Sequence, residues 1–534
     1  MVKEVLQEAL DHALTAVGVE PPAAITVTPT DRRDHGDWTS NVALTTAKAA
    51  GRSPRDLASA LQAHLTDNLP RYVTKVDVAG PGFLNFWLDS SWLHDVLRTV
   101  VAAGVDGYAA PDLGHGQRVN VEFVSANPTG PLHVGAGRWA AYGDAVCRLL
   151  VRTGHQLHRE YYINDRGNQI ELFVASLAAR RAGEDLPEGG YQGQYIIDWA
   201  AEMPAGADPA TWGYERVMSD LSGVLGALNV HFDTWFSEQS LVESGAIAAA
   251  LEDLRAHGLV YEADGATWLR TTELGLDKDE VLLKTGGEPT YLLSDIAYHR
   301  DKFVRGAEHL IDIWGADHHG HIARLKAGVQ AIGHQADDLE VLLGQLVTVQ
   351  RGGEVVRMGR RRGNFVELAE IVDEVGPDVA RLTFLLQSIS TRQVFDLEKV
   401  VSQSAENPVF SIQYAHARIA SIGRKAAELG VDRRPLDSID LSPLTHEREL
   451  EVLRILAELP SVVADAATTR APHKVASWAQ ELGRAFHGFY HDCRVLGEGV
   501  DPELTQARLW LVEATQIGLA IALGLLGVSA PDSM

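Results

Sequence analysis

Cysteine is nearly absent: Cys147 and Cys493 are the only two in 534 residues. They lie far apart with no CxxC pair, which argues against a disulfide framework and a cysteine zinc site. Positive charge is also scarce. Against 47 Lys and Arg stand 72 Asp and Glu, a formal net charge of −25, so a polyanionic partner has to be gripped by local patches. Two patches exist. Residues 357–362 carry four arginines, and Arg418, Arg424, Lys425, Arg433 and Arg434 cluster later, where a plain solvated face is an equal reading. No apolar run approaches transmembrane length, and the opening MVKEVLQEALDHAL mixes charge with apolar residues instead of building a signal-peptide core. The expectation is a cytoplasmic globular protein with no membrane partner, long enough for three or four domains.

What is present is organised around residues 118–138, RVNVEFVSANPTGPLHVGAGR. Val119, Val121 and Phe123 alternate with Asn120 and Glu122 as in a strand, Pro128-Thr129-Gly130-Pro131 breaks it, and a helical pattern opens near Gly135. A strand, a loop and a helix N-terminus form an anion site. The unpaired N–H groups and the dipole favour a phosphate, Gly135 and Gly137 permit close approach, and His133 can donate to it.

Residues 158–163 read as a second strand, followed by Asn164-Asp165-Arg166-Gly167 at its carboxyl end, where an open α/β sheet binds its ligand. Residues 170–222, with a Gly- and Pro-rich patch at 184–193, interrupt the rhythm as an insertion. Leu310, Ile311 and Ile313 make a buried strand, with Gly315, Asp317 and His318 just beyond. The spacing of Asp317, His318, His319 and His321 is not that of a helical zinc pair, so no metal site is expected. A hairpin, 346–349 and 355–356 about Gly352-Gly353, delivers RMGRRRGNFVEL. Tyr291 and Asp295, four apart, share a face if their segment is helical.

The flanks differ in character. Residues 1–110 read as a small α+β domain, with helices at 2–17 and 57–65 and strands at 75–78 and 83–88 about Gly80-Pro81-Gly82. Trp38, Val42, Phe83 and Phe86 suit its core. Residues 366–400 connect, and 401–534 read as a helical bundle.

The stretch SANPTGPLHVG with RWAAYGDAVCRLL resembles the signature region of class I aminoacyl-tRNA synthetases, specifically the arginyl-tRNA synthetases. His133-Val134-Gly135-Ala136 stands at the family's HIGH motif and Arg357-Met358-Gly359-Arg360-Arg361 at its KMSKS loop. HGDWTSNVAL, AGPGFLNF, EGGYQGQYI, FSIQYAHARIASI and the final LGLLGVSAPDSM resemble further segments of the same family.

The resemblance implies a multidomain α/β protein. Residues 111–365 would form a Rossmann-like class I catalytic domain, residues 1–110 an N-terminal α+β domain contacting the tRNA elbow, and 401–534 an all-α anticodon-binding bundle. It implies a monomer that ligates L-arginine to tRNA(Arg) through an arginyl-adenylate. ATP would enter as its Mg2+ complex, with no tightly bound cofactor.

It places catalysis on His133, Arg360 and Arg357. ATP would meet His133, Gly135, Gly137, Gly315, Asp317, His318, Met358 and Arg361. Arginine would meet Glu122, Ser125, Asn127, Glu238, Tyr291 and Asp295, since a planar guanidinium asks for carboxylates. The tRNA would meet Tyr414, His416 and Arg418, types suited to stacking on splayed bases and gripping phosphate. Three departures stand out. Ala136 replaces the second His, arginines and Gly359 replace the lysines and serine of the loop, and Gly130 stands where many arginyl enzymes with a degenerate loop carry a lysine.

Overall fold

The computed structural model describes residues 2–30, 32–355, 366–401 and 408–533. The segment Arg357-Met358-Gly359-Arg360-Arg361 therefore lies outside the described residues. The chain divides into two compact units: residues 1–104, 425–457 and 488–515, and residues 105–424, 458–487 and 516–534.

In the first unit the helix Val2–Ala16 buries Leu6, Leu10, Ala13 and Leu14, the spacing of one helical face. The helix Pro54–Asp67 starts at Ser53, whose Oγ accepts from Asp56 N. Beside them lies a four-stranded antiparallel sheet in the spatial order Val27–Pro29, Trp38–Ser40, Phe83–Leu88, Val73–Ala79, the last two joined through Gly80-Pro81-Gly82 as expected. Val42 and Phe86 are core, whereas Phe83 is 37% exposed. This unit's N-terminal segment ends at Gly104, where a φ of 62° kinks the helix Ser91–Gly107, six residues before the expected boundary at 110.

The helical character expected for residues 401–534 is present: among the described residues the long helices are Pro408–Glu428, Glu447–Thr468, His473–Asp492 and Pro502–Leu526. Their residues are divided between the two compact units. The last of them corrects the reading of apolar runs. Pro502–Leu526 is long and apolar enough to cross a bilayer, and 72% of its most apolar stretch is buried inside the protein, the pattern of a core helix.

The second unit is built on a five-stranded parallel sheet. Its strands are β1 (Arg118–Glu122), β2 (Gln156–Ile163), β3 (Thr234–Ser237), β4 (His309–Gly315) and β5 (Leu339–Gly344), in the spatial order 3-2-1-4-5. The order reverses between β1 and β4, so the crevice for a ligand opens there, at the carboxyl ends. Helix α1 (Val134–Arg152) follows β1, and α2 (Tyr291–Val304) precedes β4.

α1 lies close to its neighbours because two of its glycines leave room. A Cβ at Gly137 would stand 2.4 Å from Leu368 Cδ1, and one at Gly143 2.4 Å from Phe123 Cδ2. The insertion is helical: Asn168–Ala182, Gln194–Glu202 and Pro209–Ala227. A three-stranded antiparallel sheet, Val260–Ala263, Ala266–Leu269 and Glu280–Leu283, had no clear sequence signal. The hairpin Val347–Arg351 and Glu354–Val355 turns through Gly352 and Gly353, both at positive φ, as a two-residue hairpin turn requires.

Candidate active site

β1 ends at Glu122, and the chain turns through Val124 at φ 71° and Ser125 at φ 41°. A β-branched residue such as Val124 in the left-handed region is strained, and two left-handed residues in succession reverse the chain sharply. The reversal brings Ser125 Oγ back to donate to Glu122 Oε1 at 2.9 Å, while the same oxygen accepts from Tyr162 N at 3.0 Å. Asn127 Nδ2 donates to Gln169 Oε1 at 2.7 Å. At Gly130 (φ 154°) a Cβ would come within 2.7 Å of the Tyr195 ring, whose hydroxyl donates to Thr129 O at 3.0 Å. The packing of the insertion thus leaves no room for a lysine at that position.

His133 caps α1. Its Nδ1 accepts from Ala136 N at 3.2 Å, so the neutral ring carries its proton on Nε2, where it is a donor. Gly135 is required for this cap, since a Cβ there would stand 2.9 Å from the imidazole. Gly137 has a different use from the expected one. Its open side is filled by Leu368 and Phe384, so it serves helix packing and not close approach of a phosphate.

Across the crevice β4 ends at Gly315, with Asp317 and His318 exposed beyond it, 3.7 Å apart. The Trp139 indole lies against the strand ends: a Cβ at Gly344 would meet its Nε1 at 2.3 Å, and one at Gly315 its ring at 3.5 Å. Among the described residues no group of three or more His, Cys, Asp or Glu is placed to hold a metal. His321 instead sits 2.7 Å from Asp295 Oδ2 through Nε2 and stacks on Trp314.

Several carboxylates act on Tyr162: its hydroxyl is pushed up by burial and by the charges of Glu238, Asp295, Glu122 and Asp165. Burial also raises Glu238, with Arg166 pulling it down and Asp165 and Asp295 pushing it up. With its amide turned to donate, Asn164 Nδ2 lies 2.8 Å from Glu238 Oε2. Asp165 accepts from Ser237 Oγ at 2.5 Å and Gln239 N at 3.1 Å, so it holds the helix that carries Glu238. Tyr291 and Asp295 do share the start of α2; Tyr291 is 84% exposed and lines a neighbouring cavity of about 700 Å³ with Trp268, Lys278, His321 and Arg324. Tyr162 and His321 were not picked out as site residues from the sequence. Two aromatics at the end of the strand HREYYI were the only signal for the first.

Glu122 is less available than expected. It is buried, with Oε1 taken by Ser125 and Oε2 by Lys302 Nζ at 2.6 Å. Lys302 also donates to Asp312 Oδ1 at 2.9 Å. Burial raises the Glu122 carboxyl against the pull of Lys302. Burial opposes ionisation of Asp312 too, but Lys302 and His299 hold it well below the usual carboxylate range.

Among the residues expected to meet tRNA, His416 is buried, its Nδ1 2.9 Å from Pro531 O, so the stacking role expected of its ring is not met. It fastens the C-terminal segment instead. Tyr414 stacks on Phe410, and the Arg418 guanidinium lies over its ring with a hydrogen bond to its hydroxyl.

Parallel strands that reverse order where a capped helix N-terminus opens make this a Rossmann-like nucleotide-binding domain. The model of the class I (R) tRNA synthetase catalytic domain matches residues 99–189 and 214–416, the gap falling in the insertion. The arginyl tRNA synthetase N terminal domain matches residues 3–88 and the DALR anticodon binding domain residues 412–534. The chain belongs to the arginyl-tRNA synthetase family. It is 46% identical to an arginine–tRNA ligase of Frankia alni over 97% of this chain and 96% of that protein. With one of Moorella thermoacetica it is also 46% identical, over 96% and 94%. Among solved structures, a putative arginyl-tRNA synthetase of Campylobacter jejuni aligns with a TM-score of 0.75 at 32% identity, over 84% of this chain and all of that one. The Thermus thermophilus arginyl-tRNA synthetase aligns over the full length of both at 0.78 and 23% identity, a likeness of fold.

Proposed function

We infer that this protein joins L-arginine to tRNA(Arg) in the cytoplasm, through an arginyl-adenylate, releasing pyrophosphate and then AMP. The observation that supports the arginine reading is that the carboxylates of Glu238 and Asp295 both act on Tyr162 and on each other. ATP is a substrate and brings magnesium as countercharge. The arginine carboxylate oxygen attacks the α-phosphorus in line and pyrophosphate departs, so no side-chain nucleophile is needed. His133 Nε2 and the first turn of α1 hold the phosphates, Gly315, Asp317 and His318 receive the adenosine end, and Arg357, Arg360 and Arg361 supply charge to the leaving group. Asp295 and Glu238 take the guanidinium, with Tyr291 and Asn127 alongside. Glu122 acts through Ser125, because both its oxygens are engaged within the protein. A terminal hydroxyl of the tRNA then attacks the adenylate carbonyl and AMP leaves. Tyr414 and Arg418 belong to the anticodon surface.

Asp295→Asn keeps the shape of the side chain and removes its charge. A charge-assisted hydrogen bond is worth about 1.5–3 kcal/mol, so the KM for arginine rises about tenfold to a hundredfold while that for ATP stays nearly constant. An equal rise in both KM values would mean general damage to the fold.

Arginine activation is expected to require tRNA. Ala136 and the arginine loop leave the signature elements short of groups that other class I enzymes carry, and bound tRNA completes the site. ATP–pyrophosphate exchange with arginine should be negligible until tRNA(Arg) is added; robust exchange without it would refute this.

A further inference from the structure

Three carboxylates stand side by side across the middle of the sheet. Asp312 of β4 is paired in register with Glu122 of β1, and Glu122 with Glu160 of β2, so all three leave the same face at one level. Three basic side chains meet them, each three residues after the last: His299 and Lys302 on α2 and Arg305 at its C-cap. His299 Nε2 lies 2.7 Å from Asp312 Oδ2, and Lys302 Nζ bridges Asp312 and Glu122. Arg305 donates twice to Glu160, at 2.7 and 2.8 Å, joined there by Tyr298 at 2.7 Å and Asn120 at 3.0 Å. Lys302 thereby joins β4 to β1, while His299 holds β4 and Arg305 holds β2.

The row connects to both walls of the arginine pocket. His299 Nδ1 is 2.7 Å from the Asp295 carbonyl, one turn up the same helix, and Glu122 Oε1 accepts from Ser125 in the strained loop. Both ring nitrogens of His299 thus face atoms that only accept, and both bonds form together when each nitrogen carries a proton. Asp312, Glu122, Glu160, Lys302 and His299 are each no more than 7% exposed. An apolar contact in this place would let α2 slide with little change in energy. Matched buried charges do not, because any shift leaves a carboxylate or an ammonium unpaired in the interior.

We propose that His299, Lys302 and Asp312 are positioning residues for arginine: they lock the register of α2 on the sheet, and so fix where Asp295 and Ser125 stand. The proposal rests on the arginine-pocket reading above. Lys302→Met and the nearly isosteric Asp312→Asn, each checked by circular dichroism, are compared with Asp295→Asn in steady-state aminoacylation. A misplacement of about 1 Å costs up to about a hundredfold, so both variants should raise the arginine KM at least tenfold and leave the ATP KM within about twofold. A purely structural role would lower the melting temperature and the active fraction and leave both KM values alone. If Asp295→Asn raises the arginine KM and the folded Asp312→Asn does not, the register inference fails and the pocket stands. If Asp295→Asn has no effect, the pocket reading falls and the proposal with it. Asp312→Asn carries the test by itself should Lys302→Met not fold.

Discussion

Arg360→Ala is expected to slow single-turnover formation of the adenylate by about 10²–10³-fold, the usual cost of removing one preorganised charge donor. Arg360 follows Arg357 by three residues, as the second lysine follows the first in the loop it resembles. The alternative, an upstream lysine, is closed off at Gly130, where Tyr195 occupies the space a side chain would need. Charge accumulates on pyrophosphate only as it departs, so the loss falls on the rate and hardly on ATP affinity. Arg362→Ala, outside the five-residue match, should cost much less. Arg360→Lys separates two roles: a point charge keeps most of the rate if countercharge suffices, and little of it if a bidentate grip is required. Should Arg360→Ala leave adenylation unchanged while His133→Ala abolishes it, the loop is not the catalytic element and its arginines belong to tRNA binding or to a solvated face.

Arg381→Met should lower stability by about 3–5 kcal/mol, the cost of breaking a buried ion pair from one side. The Arg381 guanidinium is 1% exposed and donates to Asp144, to Leu526 O at 2.5 Å and to Leu228 O at 2.7 Å. Methionine fills the volume but leaves those carbonyls without a donor and Asp144 with Arg148 at 2.6 Å and the more distant Arg159 at 3.9 Å. Chemical denaturation measures the loss. Lys474→Met, which removes a solvent-exposed pair with Asp465, is the control and should cost less than about 1 kcal/mol. Equal effects would show that Arg381 contributes no more than a surface charge.

The strand β1, the loop after it, the start of α1 near Gly135 and the glycine hairpin were legible because each is a local event, decided by side-chain alternation, by proline and glycine, or by a positive φ that glycine supplies. The shared face of Tyr291 and Asp295 was legible for the same reason, since helical spacing alone brings them together. The small antiparallel sheet that starts at residue 260 was not, because its strands are only four residues each, too short for alternation to show.

By itself the sequence determined the family, the order of strand, phosphate loop and helix, and the types of residue available to ATP and arginine, all of which are read from neighbours along the chain. Tertiary structure alone decided their use. The polar residues of β1, Asn120 and Glu122, are buried because Glu160 of the neighbouring strand accepts from the first and Lys302, distant in sequence, pairs with the second. Likewise Gly137 became a packing glycine, His416 a clasp for the C-terminus and Pro502–Leu526 a core helix only once their partners were in place. Charge and hydrophobicity are properties of a residue, but whether a charge is paired or an apolar run is covered depends on which distant segment packs against it.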